Sequence, residues 1–213
     1  MTDISKALDE IMDSVRVNFT SKNAAREEAL PLCRESIRCS ANAIRAVHRN
    51  DFEKARVLVQ QSGERVGAAK NALQSHPDVL FAGFVHDAQK EFAEASITLA
   101  LVSGATLPSP AHLGVELPAY LNGMGEAVGE LRRRLLDTLR SGHVERCEHW
   151  LRAMDEIYGV MVTIDYPDAM TGGLRRTTDA VRGILEKTRG DLTLSVQQRR
   201  LEERLDSFSN RLG

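Results

Sequence analysis

The chain has 213 residues, 42% of them hydrophobic and 27% charged, with 28 basic against 30 acidic side chains for a formal net charge of −2. That length is enough for one domain with a sizeable core, and the charge balance excludes a uniformly basic nucleic-acid coat, though not one local basic surface. The first ten residues carry acidic groups and no apolar run, so no signal peptide is expected. The longest strongly apolar stretch, Ala95 to Val102, is far too short to span a bilayer.

Helical periodicity dominates from the start. Ile4, Leu8, Ile11, Met12 and Val15 form a stripe within an expected helix from Asp3 to Phe19. A second helix is expected from about Lys22 to Arg49, with Pro31 kinking it or starting its main part, and Leu32, Ile37, Ala41, Ile44 and Val47 on its buried side. Asp51 can cap a third helix running to about Gln74. Pro77 suits the first turn of a fourth, ending at Ser103-Gly104.

Leu107 to Pro118 holds three of the six prolines and reads as a loop, with room for a single turn at Pro110 to Leu113. Leu117 to Arg140 and Val144 to Thr163 resume helices. Asp165-Tyr166-Pro167 breaks the chain, and a further helix follows Gly172-Gly173 and reaches Arg189, where Gly190 is a natural cap. Leu201, Leu205, Phe208 and Leu212 mark a short amphipathic tail. The expected fold is all-α: about seven principal helices, mostly antiparallel, in a helical domain over residues 1–190 with a helical tail over residues 191–213.

Chemistry-bearing residues concentrate in two glutamate pairs. Glu91 and Glu94, spaced i, i+3, share one helix side with Cβ atoms roughly 5–6 Å apart. From Ala95 through Val115 there is no Asp, Glu, Lys or Arg, so two carboxylates at the mouth of this apolar stretch need a counter-charge. A metal cation and a basic side chain from a neighbouring helix both meet that need. Glu126 and Glu130, spaced i, i+4, lie roughly opposite the apolar face formed by Tyr120, Met124, Val128, Leu131, Leu135 and Leu139. They face water or an internal wet surface, and with Arg133 and Arg134 they also fit a solvated ion-pair face. Gly123, Gly125 and Gly129 surround them, each costing roughly 0.8–1 kcal/mol relative to Ala in a helix. That cost implies close backbone approach or space kept for a ligand.

The remaining signals are weaker. Arg132-Arg133-Arg134 is a basic run of the kind usually solvated, as are Arg175-Arg176 and Arg199-Arg200. His86, His112, His143 and His149 show no shared face. Cys33, Cys39 and Cys147 are odd in number without CxxC spacing, and read as reduced thiols in a cytoplasmic protein. No Gly-rich phosphate loop, G-x-S-x-G or Cys/His nucleophile arrangement occurs.

Lys90-Glu91-Phe92-Ala93-Glu94-Ala95 resembles the E-[FY]-x-E-A signature of the catalytic subunit type of the translin family, translin-associated factor X. Ala119-Tyr120-Leu121-Asn122-Gly123, followed by Gly125 through Leu131, is similar to that family's D-Y-L-x-G stretch and its acidic helix. Arg189-Gly190 resembles the R-G ending of both family branches. The resemblance implies an all-α fold whose copies assemble into a hollow, octamer-like shell enclosing RNA, single-stranded or as a short duplex, without membrane association. It further implies Mg²⁺- or Mn²⁺-dependent hydrolysis of RNA on the inner surface. Matched position by position, Glu91, Glu94 and Glu126 fall on catalytic carboxylates, and Glu94, Glu126 and Glu130 on metal ligands. Glu126 stands where the family has an aspartate, one methylene shorter. Arg132, Arg133 and Arg134 are then candidates for guiding RNA.

Two rivals belong beside this expectation. A translin-like shell that binds RNA or DNA without cutting would use the same fold. The all-α nucleoside triphosphate pyrophosphohydrolases also carry E-x-x-E, but pair it with E-x-x-D, whereas the second pair here is E-x-x-x-E.

Overall fold

A computed structural model describes residues 4–212, the side chains of the last two excepted. Nine helices occur among the described residues: α1 (Ile4–His48), α2 (Phe52–Ala72), α3 (Pro77–Leu80), α4 (Gly83–Ser103), α5 (Pro110–Leu113), α6 (Leu117–Arg140), α7 (Val144–Met161), α8 (Asp168–Thr171) and α9 (Leu174–Leu212). No strand forms among those residues, which bears out the all-α expectation. None of the helices is long and apolar enough to cross a membrane.

Local signals act as the sequence implies at most boundaries. Asp51 accepts the Lys54 amide at 3.3 Å and caps α2. Gly104 closes α4 with φ +73°, where a side chain would be strained. Ser109 accepts the His112 amide at 3.1 Å to start the single turn α5.

Three boundaries differ from expectation. The first two expected helices are one, because Pro31 lies inside α1 on its exposed side, where water can satisfy the carbonyl left without a donor. The expected fourth helix divides into α3 and α4 around an extended Ala82, and Phe81 beside the break is exposed. Gly190 does not end its helix. Leu192, two residues on, is buried against Leu135 and Cys147, so tertiary packing carries α9 through the glycine.

The packing falls into two halves. In one, Ala29 and Cys33 of α1 pack with Val66 and Ala69 of α2 and Val85, Ala88 and Phe92 of α4. In the other, Val128 and Leu131 of α6 join Met154 and Met161 of α7 and Leu174, Val181 and Leu185 of α9. The α4–α6 seam joins the halves. An added Cβ at Gly123 would lie 2.5 Å from the Lys90 carbonyl and 3.0 Å from the Glu94 amide, so the two backbones touch at the level of the glutamates. Gly125 is equally crowded, by Thr177 and Met161. Gly129 has nothing within 4 Å. Close approach therefore accounts for two of the three glycines, and the third is open.

The motif around Gly123 is largely architectural. Tyr120 donates its hydroxyl to the Pro108 carbonyl at 2.8 Å and ties down the proline-rich loop. The Asn122 amide donates to the carbonyls of Pro118 and Thr171 at 2.8 and 2.9 Å, and its oxygen accepts from the Thr177 hydroxyl at 2.5 Å. One buried side chain thus staples α6 to α8 and to the start of α9.

A candidate carboxylate metal centre

Glu91 and Glu94 leave α4 on the side facing α6, and Glu126 leaves α6 one turn beyond the Gly123 contact. Each offers an oxygen such that all three lie within 4.8 Å of one another. Glu94 is the deepest of them at 8% exposed. Its carboxyl is pushed up to about 8, first by burial and then by the charges of Glu91, Glu126 and Glu130. Glu91 is raised as well, mainly by burial, with Lys90 opposing.

The sequence left two counter-charges open, and the structure provides one of them in part. Lys90 donates to Glu126 Oε1 at 2.7 Å and lies 3.8 Å from Glu91 Oε1. Burial works against its ammonium, but the bond to Glu126 and the charges of Glu126, Glu91 and Asp87 outweigh burial and raise its pKa. No ion pair reaches Glu94 among the described residues. The innermost carboxylate thus carries the least compensation.

Glu130 stands apart from this trio. His48 at the end of α1 bonds through Nε2 to Glu130 Oε2, and Arg133 Nη1 is 4.0 Å from the same oxygen. Its charge still adds to the upward push on the Glu94 carboxyl, behind burial and the charges of Glu91 and Glu126. The basic run separates in the same way. Arg132 donates to the Thr188 hydroxyl at 2.8 Å and to Asp191 at 2.7 Å, which locks α6 to α9. Arg134 donates to Asn50 Oδ1 at 2.7 Å, and Arg133 is the most exposed of the three. The motif arginine Arg189 pairs with Asp155 at 2.6 Å.

Sequence reading missed Lys90 and His48. Lys90 sat inside the quoted motif without a role, because nothing local shows that α6 brings Glu126 to it. His48 continues the buried α1 stripe four residues after Ile44, and a histidine at the end of an apolar face was the available signal. Burial pushes the thiols of Cys33 and Cys147 up to about 11, so neither supplies a thiolate nucleophile.

Three convergent carboxylates suit a hard divalent cation with oxygen ligands. The unneutralised burden on Glu94 is what such an ion would offset.

No family model matches the chain. An uncharacterized protein of Methanocaldococcus jannaschii is 31% identical over 202 residues, covering 93% of this chain and 88% of that protein. The structure of AfC3PO in complex with duplex RNA superposes with a TM-score of 0.81 at 31% identity, over 88% of this chain and 97% of that one. AfC3PO alone gives 0.80 at 32% identity, over 88% and 98%. Apo-NeC3PO shares the fold at a TM-score of 0.77 and 20% identity, over 86% and 96%. With a seam that brings Glu91 and Glu94 to Glu126, and neighbours matched over nearly their full length, the chain belongs to the translin family as a C3PO-like member.

Proposed function

We propose that the protein is a Mg²⁺- or Mn²⁺-dependent endoribonuclease that hydrolyses RNA phosphodiesters inside a homo-oligomeric, octamer-like shell. The observation that carries this reading is the convergence of Glu91, Glu94 and Glu126 within 4.8 Å. The similarity to AfC3PO, a protein whose structure includes duplex RNA, supports RNA as the substrate.

Glu91, Glu94 and Glu126 would hold the cation, with Glu130 adding negative charge behind them. A cation bound there supplies Lewis-acid polarisation of the phosphate and offsets charge on the leaving oxygen. The chain's own groups set up the rest. Lys90 holds Glu126 in place and restrains Glu91 by charge. His48 anchors Glu130 from α1. The raised pKa of Glu94 favours its protonated form near neutrality, and Glu94 would have to release that proton to hold a cation.

The deciding experiment incubates the protein with labelled single-stranded and short duplex RNA and Mg²⁺ or Mn²⁺, beside an EDTA control and Glu94→Ala. Cleavage that requires the metal, and that falls by about a hundredfold or more in Glu94→Ala with RNA binding retained, is the expected result. Binding without cleavage would make the protein a nucleic-acid-binding shell instead. Release of pyrophosphate from free nucleoside triphosphates would point to the pyrophosphohydrolases.

A further inference from the structure

Beyond Glu130 along α6 lies a second cluster of polar groups. His48 Nδ1 and Arg134 Nε are buried and have no hydrogen-bond partner. Buried polar atoms are nearly always satisfied, so two such orphans lining one cleft mark a place where a partner from outside the chain, water or ligand, completes the bonding. Both residues line one open cleft of about 580 Å³, together with Asn50, Arg146, His149 and Trp150.

These residues divide into two kinds. Arg134 is held by Asn50 through Nη2 at 2.7 Å, which fixes the guanidinium at the cleft wall with its buried Nε–H unpaired. Arg146 forms no ion pair among the described residues. Arg140 also borders the cleft, but its guanidinium is already paired with Asp137 at 3.4 Å. Guanidinium groups are suited to the non-bridging oxygens of a phosphate. On the same wall, His149 and Trp150 meet edge to face with ring centroids 5.0 Å apart, and such aromatic surfaces take nucleobases by stacking. Two guanidinium groups beside an aromatic pair are the recognition set for a nucleotide.

Position relates this cleft to the carboxylates. Glu126, Glu130 and Arg134 follow one another at i, i+4 and i+8 on α6, about 12 Å of helical rise from first to last. His48 belongs to both places, bonding Glu130 with one ring nitrogen and lining the cleft. We propose that the cleft is a nucleotide subsite, in which Arg134 and Arg146 bind a backbone phosphate and the His149–Trp150 pair receives the adjoining base of a strand engaged at the Glu91–Glu94–Glu126 cluster. The assignment of that strand rests on the ribonuclease reading above.

Trp150 is the single tryptophan of the chain and lines this cleft, so no second indole contributes to its emission. The full-length protein is titrated in EDTA, where no metal-dependent cleavage occurs, with a ribo-oligonucleotide, a nucleoside 5′-monophosphate and inorganic phosphate in separate arms. The oligonucleotide is expected to change Trp150 emission saturably. Arg146→Gln and Arg134→Gln should each weaken its binding about tenfold and lower the salt slope of log K by about one. Arg182→Gln, an exposed arginine of α9 paired with Glu186, serves as the charge control and should change neither. Circular dichroism checks the folding of Arg134→Gln, and the exposed Arg146 provides the test if that variant is unstable.

Oligonucleotide binding with a silent Trp150, or wild-type affinity and emission in Arg146→Gln, would overturn the subsite. A response to the mononucleotide but not to the oligonucleotide would overturn the strand assignment in favour of a free nucleotide. If RNA remains uncut with Mg²⁺ while Trp150 still responds to the oligonucleotide, the ribonuclease reading fails and the subsite stands.

Discussion

Glu94 concentrates the electrostatic problem of this molecule in one side chain. Its carboxyl is raised to about 8 in the fold, against an ordinary value of 4.5. The folded state therefore binds a proton that the unfolded chain has already released between those values. The stability contributed by the protonated carboxyl is complete below about pH 4.5 and is lost as pH rises towards 8. In EDTA, the melting temperature should fall between pH 6 and pH 8.5, and Glu94→Gln should flatten much of that fall. A wild-type fall unchanged in the variant would assign the effect to other groups. Mg²⁺ should reverse the loss at pH 8.5, since a cation that binds only the folded site stabilises by mass action. Lys90 presents the opposite case, a cation already beside two of the three carboxylates. Lys90→Met should raise Mn²⁺ affinity several-fold by removing like charge, while lowering the melting temperature of the metal-free protein. Isothermal titration beside a thermal melt would reveal either half of that expectation failing.

At the scale of elements, the α4–α6 seam sets the spacing of the site. Gly123→Ala would drive a methyl group into the Lys90 carbonyl and the Glu94 amide, both backbone atoms that cannot swing aside. A loss of about 1–3 kcal/mol in urea unfolding is expected, as for other overpacked contacts. Gly129→Ala, six residues along the same helix, meets nothing within 4 Å and should stabilise by up to about 1 kcal/mol through helix propensity. Equal effects of the two substitutions would contradict the seam geometry. From sequence these glycines looked alike, because both interrupt a helical pattern among glutamates. What separates them is the neighbouring helix, 30 residues earlier in the chain. The paired carboxylates of α4 were legible for the converse reason: i, i+3 spacing is a property of one helix alone. Their meeting with Glu126 required the crossing of two helices, and it was reached through the family resemblance before the geometry supplied it.

The whole molecule is marked by two helices that outgrow its core. α1 has 45 residues and α9 has 39, about 68 and 58 Å of helix. Every residue from 4 to 21 is exposed, including the stripe Ile4, Leu8, Ile11, Met12, Val15 and Phe19. Residues 201–210 are exposed as well, with Leu201, Leu205 and Phe208 on the surface. The side chain of Leu212, expected to complete that set, lies outside the described residues. Apolar stripes of this extent are costly to leave in water, and the proposed homo-oligomer would cover them. Replacing Ile11 and Val15 with Glu should lower the particle mass measured by light scattering. An unchanged mass would remove the α1 stripe from the assembly interface.

The sequence by itself determined the all-α class, most helix ends and the Glu91–Glu94 pair, because these follow from local periodicity, capping and spacing within one helix. Tertiary structure alone decided that Gly190 continues a helix, that Arg132 serves α9, and that Lys90 and His48 attend the glutamates. Those outcomes depend on contacts between segments far apart in the chain, where packing and burial outweigh local propensity.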